Sequence, residues 1–311
     1  MENSTAQRPR ILICDSIAEE GVALLRQHAD VDVHTKLSPA ALLEIVPVYD
    51  GMVVRSATQV TQQVIDHAAN LKIIGRAGAG LDNIDVTAAR ERHMQVVNSP
   101  DANTLAVAEH TMGLLLALAR RLSWADWSLK AGRWEKSKLV GTGLAGKTLG
   151  IVGFGRIGRE VALRAQAFRM KILVNQRRAT PELDLAAGIE AVDLLDLLRA
   201  SDFVTLHAPL TPETTNMLGA VQFDLMTRGA FLINTARGGL IDEAALLHAL
   251  DSGQLAGAAL DVFASEPAID SALAKHERVI ATPHIGASTA DAQQAAALTV
   301  AEQMIAFFQS R

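Results

Sequence analysis

The sequence predicts an α/β protein made of two parallel-sheet domains, and three observations carry that expectation. Short apolar and β-branched runs alternate with helix-length segments along the 311 residues, the pattern of successive βαβ units. The alternation comes in two series separated by one long helical stretch. A chain of 311 residues also divides, at about 150 residues each, into two domains.

The first series reads as strands at ILICD (Ile11 to Asp15), VDVHT (Val31 to Thr35), GMVVR (Gly51 to Arg55), LKIIGR (Leu71 to Arg76) and QVVNS (Gln95 to Ser99). Ala18 to Ala29 carries apolar positions at helical spacing. One helix is expected from about Asn103 to Ala131, with Asn103 or Thr104 as N-cap. The second series has strands at TLGIVGFG (Thr148 to Gly155), KILVN (Lys171 to Asn175), DFVTLHA (Asp202 to Ala208), AFLINTA (Ala230 to Ala236), GAALDVF (Gly257 to Phe263) and RVIATPH (Arg278 to His284). Ala290 to Gln309 reads as an amphipathic helix that, on spacing alone, packs on either block. Pro100 interrupts the pattern, so the boundary is expected between Asn98 and Asp101.

Composition narrows the function. Hydrophobic residues make up 49% and charged residues 20%, which disfavours disorder and coiled coil. Aromatics are 4%, so Leu, Ile, Val and Ala must build the core. A net charge of -5 lacks the basic excess of a nucleic-acid binder. Cys14 is the single cysteine, which excludes an internal disulfide framework and a multi-cysteine metal site. No metal is expected. The N-terminal MENSTAQRPR is polar, and the apolar run Thr111 to Ala119 is far shorter than the ~20 residues of a membrane span. A cytoplasmic location with no membrane partner is the expectation.

Gly153-Phe154-Gly155-Arg156-Ile157-Gly158 matches G-x-G-x-x-G. It directly follows a strand and opens a helical stretch, the context that a dinucleotide site requires. The first glycine permits the tight turn, the second lets a pyrophosphate approach the backbone, and the third lets helix pack on strand. A glycine-rich turn without ligand is the competing reading. The next strand should end in an acidic residue for the ribose 2′-hydroxyl, but KILV is followed by Asn175-Gln176-Arg177-Arg178. Arginine pairs with a 2′-phosphate that a carboxylate would repel. The expectation is NADP(H) in preference to NAD(H), against two solvated arginines beside a looser NAD site. Gly75 to Gly80 has glycines spaced as G-x-x-G-x-G and is not the fingerprint.

Three polar residues sit just after strands of the second block. Arg237 follows LINTA, Glu266 follows LDVFAS, and His284 follows VIATP. Ligands of open α/β sheets bind outside the carboxyl ends of strands. Arginine can clamp a carboxylate and polarise the adjacent carbonyl. Histidine can protonate a developing alkoxide, and a glutamate beside it would orient the ring. Taken singly, each has a bland reading as a structural or turn residue.

The strings GRAGAGLDNID, AEHTMGLLLALAR, LAGKTLGIVGFGRIGREVA, LHAPLTPETTNML, LINTARGGLIDEAAL, GAALDVFASEP and TPHIGAST, in this order, resemble the D-2-hydroxyacid dehydrogenase family from about Ile11 to the end of the chain. The resemblance implies two Rossmann-like or flavodoxin-like domains with a cleft between them. The substrate domain would comprise residues 1–98 with 286–311, and the dinucleotide domain residues 99–285. It implies that Arg237, Glu266 and His284 are catalytic and that Asp261 meets the nicotinamide carboxamide. It extends cofactor contacts to His207, Pro209, Thr214, Thr235 and Ala236. It implies substrate contacts from Arg55, Ser56, Arg76, Ala77, Gly78 and Asn103. A homodimer is implied, with the long helix at its interface.

Within the family, VVRSATQVT (Val53 to Thr61), IGRAGAGLDN (Ile74 to Asn83) and NSPDANTLAVAEH (Asn98 to His110) look most like the phosphoglycerate dehydrogenase group. Arg55 and Arg76 also admit the reading of solvated loop arginines. The chain ends at Arg311 without the long C-terminal regulatory extension of many such enzymes, so serine feedback through such a domain is not expected. Gln176 with Arg177 keeps an NADPH-dependent hydroxypyruvate or glyoxylate reductase open. A non-catalytic nucleotide-binding corepressor is the rival of another class.

Overall fold

The computed structural model describes residues 8–176 and 188–310. The chain divides into two compact units, one spanning Met1–Asn103 with Ala287–Arg311 and the other Thr104–Gly286.

In the first unit, β1 (Arg10–Ile13), β2 (Asp30–Val33), β3 (Gly51–Val54), β4 (Ile73–Arg76) and β5 (Gln95–Asn98) form an all-parallel sheet in the order β2-β1-β3-β4-β5. The helices α1 (Glu19–His28), α2 (Pro39–Ile45), α3 (Gln62–His67) and α4 (Val86–Glu91) connect them. The central strands are continuous apolar runs because helices cover both faces of a parallel sheet. Leu12, Ile13, Val53, Ile73 and Ile74 are wholly buried. The edge strand β2 instead reads DVDV and is partly exposed. Ser38, Thr61 and Asp85 cap α2, α3 and α4 by accepting a main-chain N–H, the role these short polar side chains favour.

The second unit opens with α5 (Thr104–Ala119) and α6 (Leu122–Lys130). These replace the single helix expected from Asn103 to Ala131. The last turn of α5 tightens, with Arg121 N bonding to Leu118 O, and Arg121 then adopts φ 55° and ψ 37°. That left-handed residue ends the helix as a glycine would, but an arginine leaves no mark in the sequence. The strands β6 (Thr148–Val152), β7 (Lys171–Asn175), β8 (Ile189–Ala191), β9 (Phe203–Leu206), β10 (Ala230–Asn234), β11 (Leu255–Leu260) and β12 (Val279–Ala281) follow. They alternate with α7 (Arg156–Ala167), α8 (Leu194–Ala200), α9 (Ala220–Leu225) and α10 (Glu243–Asp251). The sheet is all parallel in the order β12-β11-β10-β9-β6-β7-β8, so the winding direction reverses between β6 and β9, where open α/β sheets bind ligands. One face buries Leu115, Ile151, Val161 and Phe203, the other Leu197, Leu206, Leu232 and Leu246.

The last helix, α11 (Ala290–Gln309), belongs to the first unit. Its Ala296, Val300, Ala301 and Met304 pack with Ile11, Ile13, Val53 and Ile73. Among the described residues no helix is long and apolar enough to cross a membrane.

Candidate active site

The glycine turn sits at the reversal between β6 and β9. Gly153 has φ +95°, and a Cβ there would stand 2.5 Å from the His207 carbonyl carbon, so only glycine lets the two strand ends approach. A Cβ at Gly158 would run into the Gly153 carbonyl oxygen, whereas among the described residues one at Gly155 would meet nothing within 4 Å. Gly155 is the N-cap of α7, and Arg156, Ile157 and Gly158 form its first turn. The first N–H groups of a helix have no partner four residues back and attract anions. Open space at Gly155 above those amides fits a dinucleotide's pyrophosphate.

The strand ends on either side complete this rim. His207 follows β9, with Nε2 3.0 Å from Thr205 Oγ1 and Nδ1 buried without a partner among the described residues. Burial pushes the imidazole down to about 3, so it is neutral at physiological pH. Thr214 closes the next loop, its Oγ1 donating to Pro209 O at 2.7 Å and accepting from Thr211 N at 2.8 Å. At the end of β7, Asn175 Nδ2 donates to Val192 O at 3.1 Å, and half-buried Gln176 stands where a ribose-binding acid was expected. Arg177 and Arg178 lie outside the described residues.

The ends of β10, β11 and β12 carry the titratable groups. After β10, fully buried Asn234 staples the turn, accepting from Ala236 N at 3.0 Å and donating to Arg237 O at 2.9 Å. Thr235 Oγ1 lies 2.8 Å from Thr111 Oγ1 on α5. The half-buried Arg237 donates from Nη1 to Ala236 O at 2.6 Å. The next residue, Gly238, packs against the Phe263–Ala264 main chain so closely that a Cβ would overlap the Phe263 carbonyl. This contact draws the Arg237 turn onto the segment leading to Glu266.

Asp261, 1% exposed, organises the loop after β12. Its Oδ1 accepts from Thr282 Oγ1 at 2.6 Å and Ile285 N at 2.8 Å, and its Oδ2 accepts from Gly286 N at 2.8 Å. His110 Nε2 lies 3.3 Å from Oδ1. Burial alone would raise this carboxyl, but the bonds from His110, Thr282, Ile285 and Gly286 outweigh it and hold it below the usual range. His284 adopts φ 54° and donates its N–H to Asp261 O at 2.8 Å. Its Nδ1 lies 2.8 Å from Glu266 Oε2, while Glu266 Oε1 accepts from Phe263 N at 3.1 Å. An ionised carboxylate only accepts. Nδ1 therefore carries the hydrogen, and Nε2 is the nitrogen left for chemistry.

The remaining candidates lie in the first unit. Arg55 and Ser56 follow β3, and Arg55 Nη1 donates to Ser16 O at 3.1 Å. Arg76 ends β4 and folds over Gly78, whose φ is +153°. Arg55, Ala77, Gly78, Asn103 and Gln293 line a cavity of about 30 Å³. Asn103 Oδ1 is buried there without a partner among the described residues. Ser56 instead lines a larger cavity of about 580 Å³ with Arg55, Lys36, Leu42 and Gln63. Arg55 borders both.

Residues 112–286 match the family model for the D-isomer specific 2-hydroxyacid dehydrogenase NAD binding domain. The chain belongs to this dehydrogenase family. It is 48% identical over 302 residues to D-3-phosphoglycerate dehydrogenase 2, chloroplastic, of Arabidopsis thaliana, covering 96% of this chain and 48% of that protein. The chain spans about half the length of the curated relatives it matches. Among solved structures, the TT0316 protein from Thermus thermophilus superposes with a TM-score of 0.90 at 36% identity, covering 97% of each chain. An NADPH-dependent glyoxylate/hydroxypyruvate reductase from Sinorhizobium meliloti, in complex with NADP and malonate, gives a TM-score of 0.88 at 30% identity. That match covers 98% of this chain and 95% of the reductase.

In this member of the family, then, Glu266 and His284 are directly bonded, and Arg237 sits on a turn locked to the Glu266 segment. Four side chains escape a reading of the sequence. Gln293 lines the small cavity from the first turn of α11, and no local motif marks it. Asp15 and Asn83 hold the Arg55 loop. Asp15 does stand at a strand's carboxyl end, two residues beyond β1. His110 supports Asp261 from α5. Among the described residues no group of three or more His, Cys, Asp or Glu side chains could hold a metal ion.

Proposed function

We propose that this chain is an NAD(P)-dependent D-2-hydroxyacid dehydrogenase acting on a small anionic 2-hydroxy or 2-keto acid, most like phosphoglycerate dehydrogenase. The observation that carries the reading is the Glu266–His284 pair, 2.8 Å apart, with the His284 loop fixed by buried Asp261 at the carboxyl edge of a dinucleotide-type sheet. Among the described residues, the open space at Gly155 and the His207 Nδ1 without a partner fit a dinucleotide held by Gly153, Gly155, Arg156, Ile157 and Gly158. When bound, its nicotinamide supplies or accepts a hydride.

The protein's part is binding and proton transfer. In the reductive direction the doubly protonated ring of His284 gives its Nε2 proton to the oxygen of the 2-keto group as it becomes an alkoxide. The ring is left in the neutral Nδ1–H form, which takes the proton back in the oxidative direction. Glu266 fixes the tautomer and compensates charge on the ring. Arg237 grips the substrate carboxylate and polarises the carbonyl beside it. Arg55, Ser56, Gly78 and Asn103 receive the anionic groups of the substrate. The corepressor alternative has no use for a proton donor, so the retained Glu266–His284 pair weighs against it.

Two finer points belong to the proposal. Gln176 in place of a carboxylate, with Arg177 and Arg178 next in sequence, favours NADP(H) over NAD(H) and keeps the hydroxypyruvate or glyoxylate reductase as second reading. The chain acts as a homodimer. In support, Leu122, Trp127, Leu129, Trp134 and Val140 expose large apolar side chains on the segment between α5 and β6, with Trp134 82% exposed; such clusters mark association surfaces.

The test is kcat/KM for 3-phosphohydroxypyruvate and for hydroxypyruvate, each with NADPH and with NADH. The expected result is turnover of both, a preference for the phosphorylated acid, and faster use of NADPH. Equal or better activity without the phosphate selects the reductase. Preference for NADH that Arg177→Ala leaves unchanged overturns the cofactor assignment, and no oxidation with any 2-keto acid overturns the activity.

A further inference from the structure

We propose that Asp15 and Asn83 are positioning residues that hold the Arg55–Thr58 loop in the shape that receives the substrate anion, a reading that rests on the function proposed above. Asp15 lies two residues beyond β1 and Arg55 directly follows β3. These strands are neighbours at the reversal of the first sheet, the place where such sheets bind ligands.

Among the described residues, no main-chain hydrogen bond closes residues 55–58 on themselves. Two buried side chains close the loop instead, each 8% exposed. Asp15 Oδ2 accepts from Arg55 N at 2.6 Å and Thr58 N at 3.2 Å, and Oδ1 accepts from Thr58 Oγ1 at 2.8 Å. Asn83 Nδ2 donates to Arg55 O at 2.8 Å and to Thr58 O at 2.7 Å. Both main-chain groups of the first and last loop residues are thus tied, one side by an acceptor and the other by a donor. Ser56 and Ala57 lie between these two anchored residues.

The choice of chemistry is directional. A carboxylate accepts charge-assisted bonds from N–H groups more strongly than a neutral oxygen. An amide at position 83 can donate to two carbonyls at once, whereas an ionised acid there would repel both. The loop is shaped before any ligand arrives, which lowers the ordering cost of binding.

The test uses the full chain with Asp15→Ala, Asp15→Asn, Asn83→Asp and Thr58→Val. Thr58→Val removes only the hydroxyl link and guards against a variant that fails to fold. Three readouts are taken: amide hydrogen exchange over residues 55–58, KM and kcat for the preferred 2-keto acid, and the Kd of the nicotinamide cofactor. Asp15→Ala and Asn83→Asp should lose protection in this segment and raise KM about tenfold or more, with kcat and cofactor Kd within about threefold of the parent. Asp15→Asn should recover most of the loss, because an amide oxygen still accepts both N–H groups. Unchanged protection, unchanged KM, or a parallel fall in kcat and cofactor affinity would overturn the proposal. If the parent chain reduces no 2-keto acid, the proposed function fails on its own. Titration of inorganic phosphate then decides the clamp: binding weakened about tenfold in Asp15→Ala supports it, and binding equal to the parent overturns it.

Discussion

The two sheets place their candidate site loops at equivalent positions, the carboxyl ends of strands, yet they fix those loops by different means. In the first unit the Arg55 loop is held by side chains, Asp15 and Asn83, reaching across to main-chain groups. In the second unit the dinucleotide turn and the Arg237 turn are held by backbone pressed on backbone at Gly153 and Gly238. The His284 loop is again tied by a side chain, since buried Asp261 binds Ile285 N and Gly286 N. A loop tied by a side chain is adjustable by one substitution that spares the sheet. A loop packed through glycine has no such freedom, because any Cβ displaces main chain.

That contrast is broken or sharpened by substitutions of graded effect. The largest is expected from Gly238→Ala, whose methyl group would overlap the Phe263 carbonyl. Displacing the Arg237 turn by about 1 Å should lower kcat/KM by about a hundredfold or more, read by steady-state kinetics beside a thermal melt. Activity and melting equal to the parent would remove the packing argument. Arg237→Lys leaves the turn intact but replaces a planar fork by a point charge, and a loss of about tenfold to a hundredfold in kcat/KM follows from one weakened charged contact. Asp261→Asn keeps the side chain's shape but sets an NH2 group against main-chain donors. Denaturant unfolding should show a loss of about 1–3 kcal/mol, with faster amide exchange at Ile285 and Gly286.

The smallest effect lies with His207 and has a definite sign. The folded imidazole is pushed down to about 3 from an ordinary 6.5. Below pH 6.5 the unfolded chain takes a proton that the folded chain refuses, so stability falls as pH falls toward 3. The slope from this group is at most about 1.4 kcal/mol per pH unit. His207→Gln should flatten the fall between about pH 6.5 and 5, measured by urea unfolding at several pH values. An unchanged slope would mean that the ring is not shielded from water.

Much of this architecture is legible in the sequence. Strands buried on both faces, such as those containing Ile11 to Ile13 or Leu232 and Ile233, are legible as apolar runs, and α11 shows its own periodicity. The break at Arg121 is not legible, because apolar spacing continues on both sides and no glycine or proline marks it. Strand β8 escapes because a three-residue edge strand with exposed side chains has no pattern to display. In the site, the glycine fingerprint and the residues after strands can be found by position. The bond between Glu266 and His284 cannot, because they are 18 residues apart and only the neighbouring of β11 and β12 joins them. Asp15 is visible by position yet carries no motif, and its partner loop lies 40 residues further on.

The central claim is that His284, held by Glu266, transfers the proton. It is tested most directly by single-turnover reduction of hydroxypyruvate with NADPH, comparing the parent chain with His284→Asn. Asparagine tolerates the left-handed backbone at this position, so the loop keeps its shape while the proton donor is lost. NADPH binding is expected within about threefold of the parent, and hydride transfer slowed by about a hundredfold or more. Hydride transfer at the parent's rate in that variant would contradict the claim.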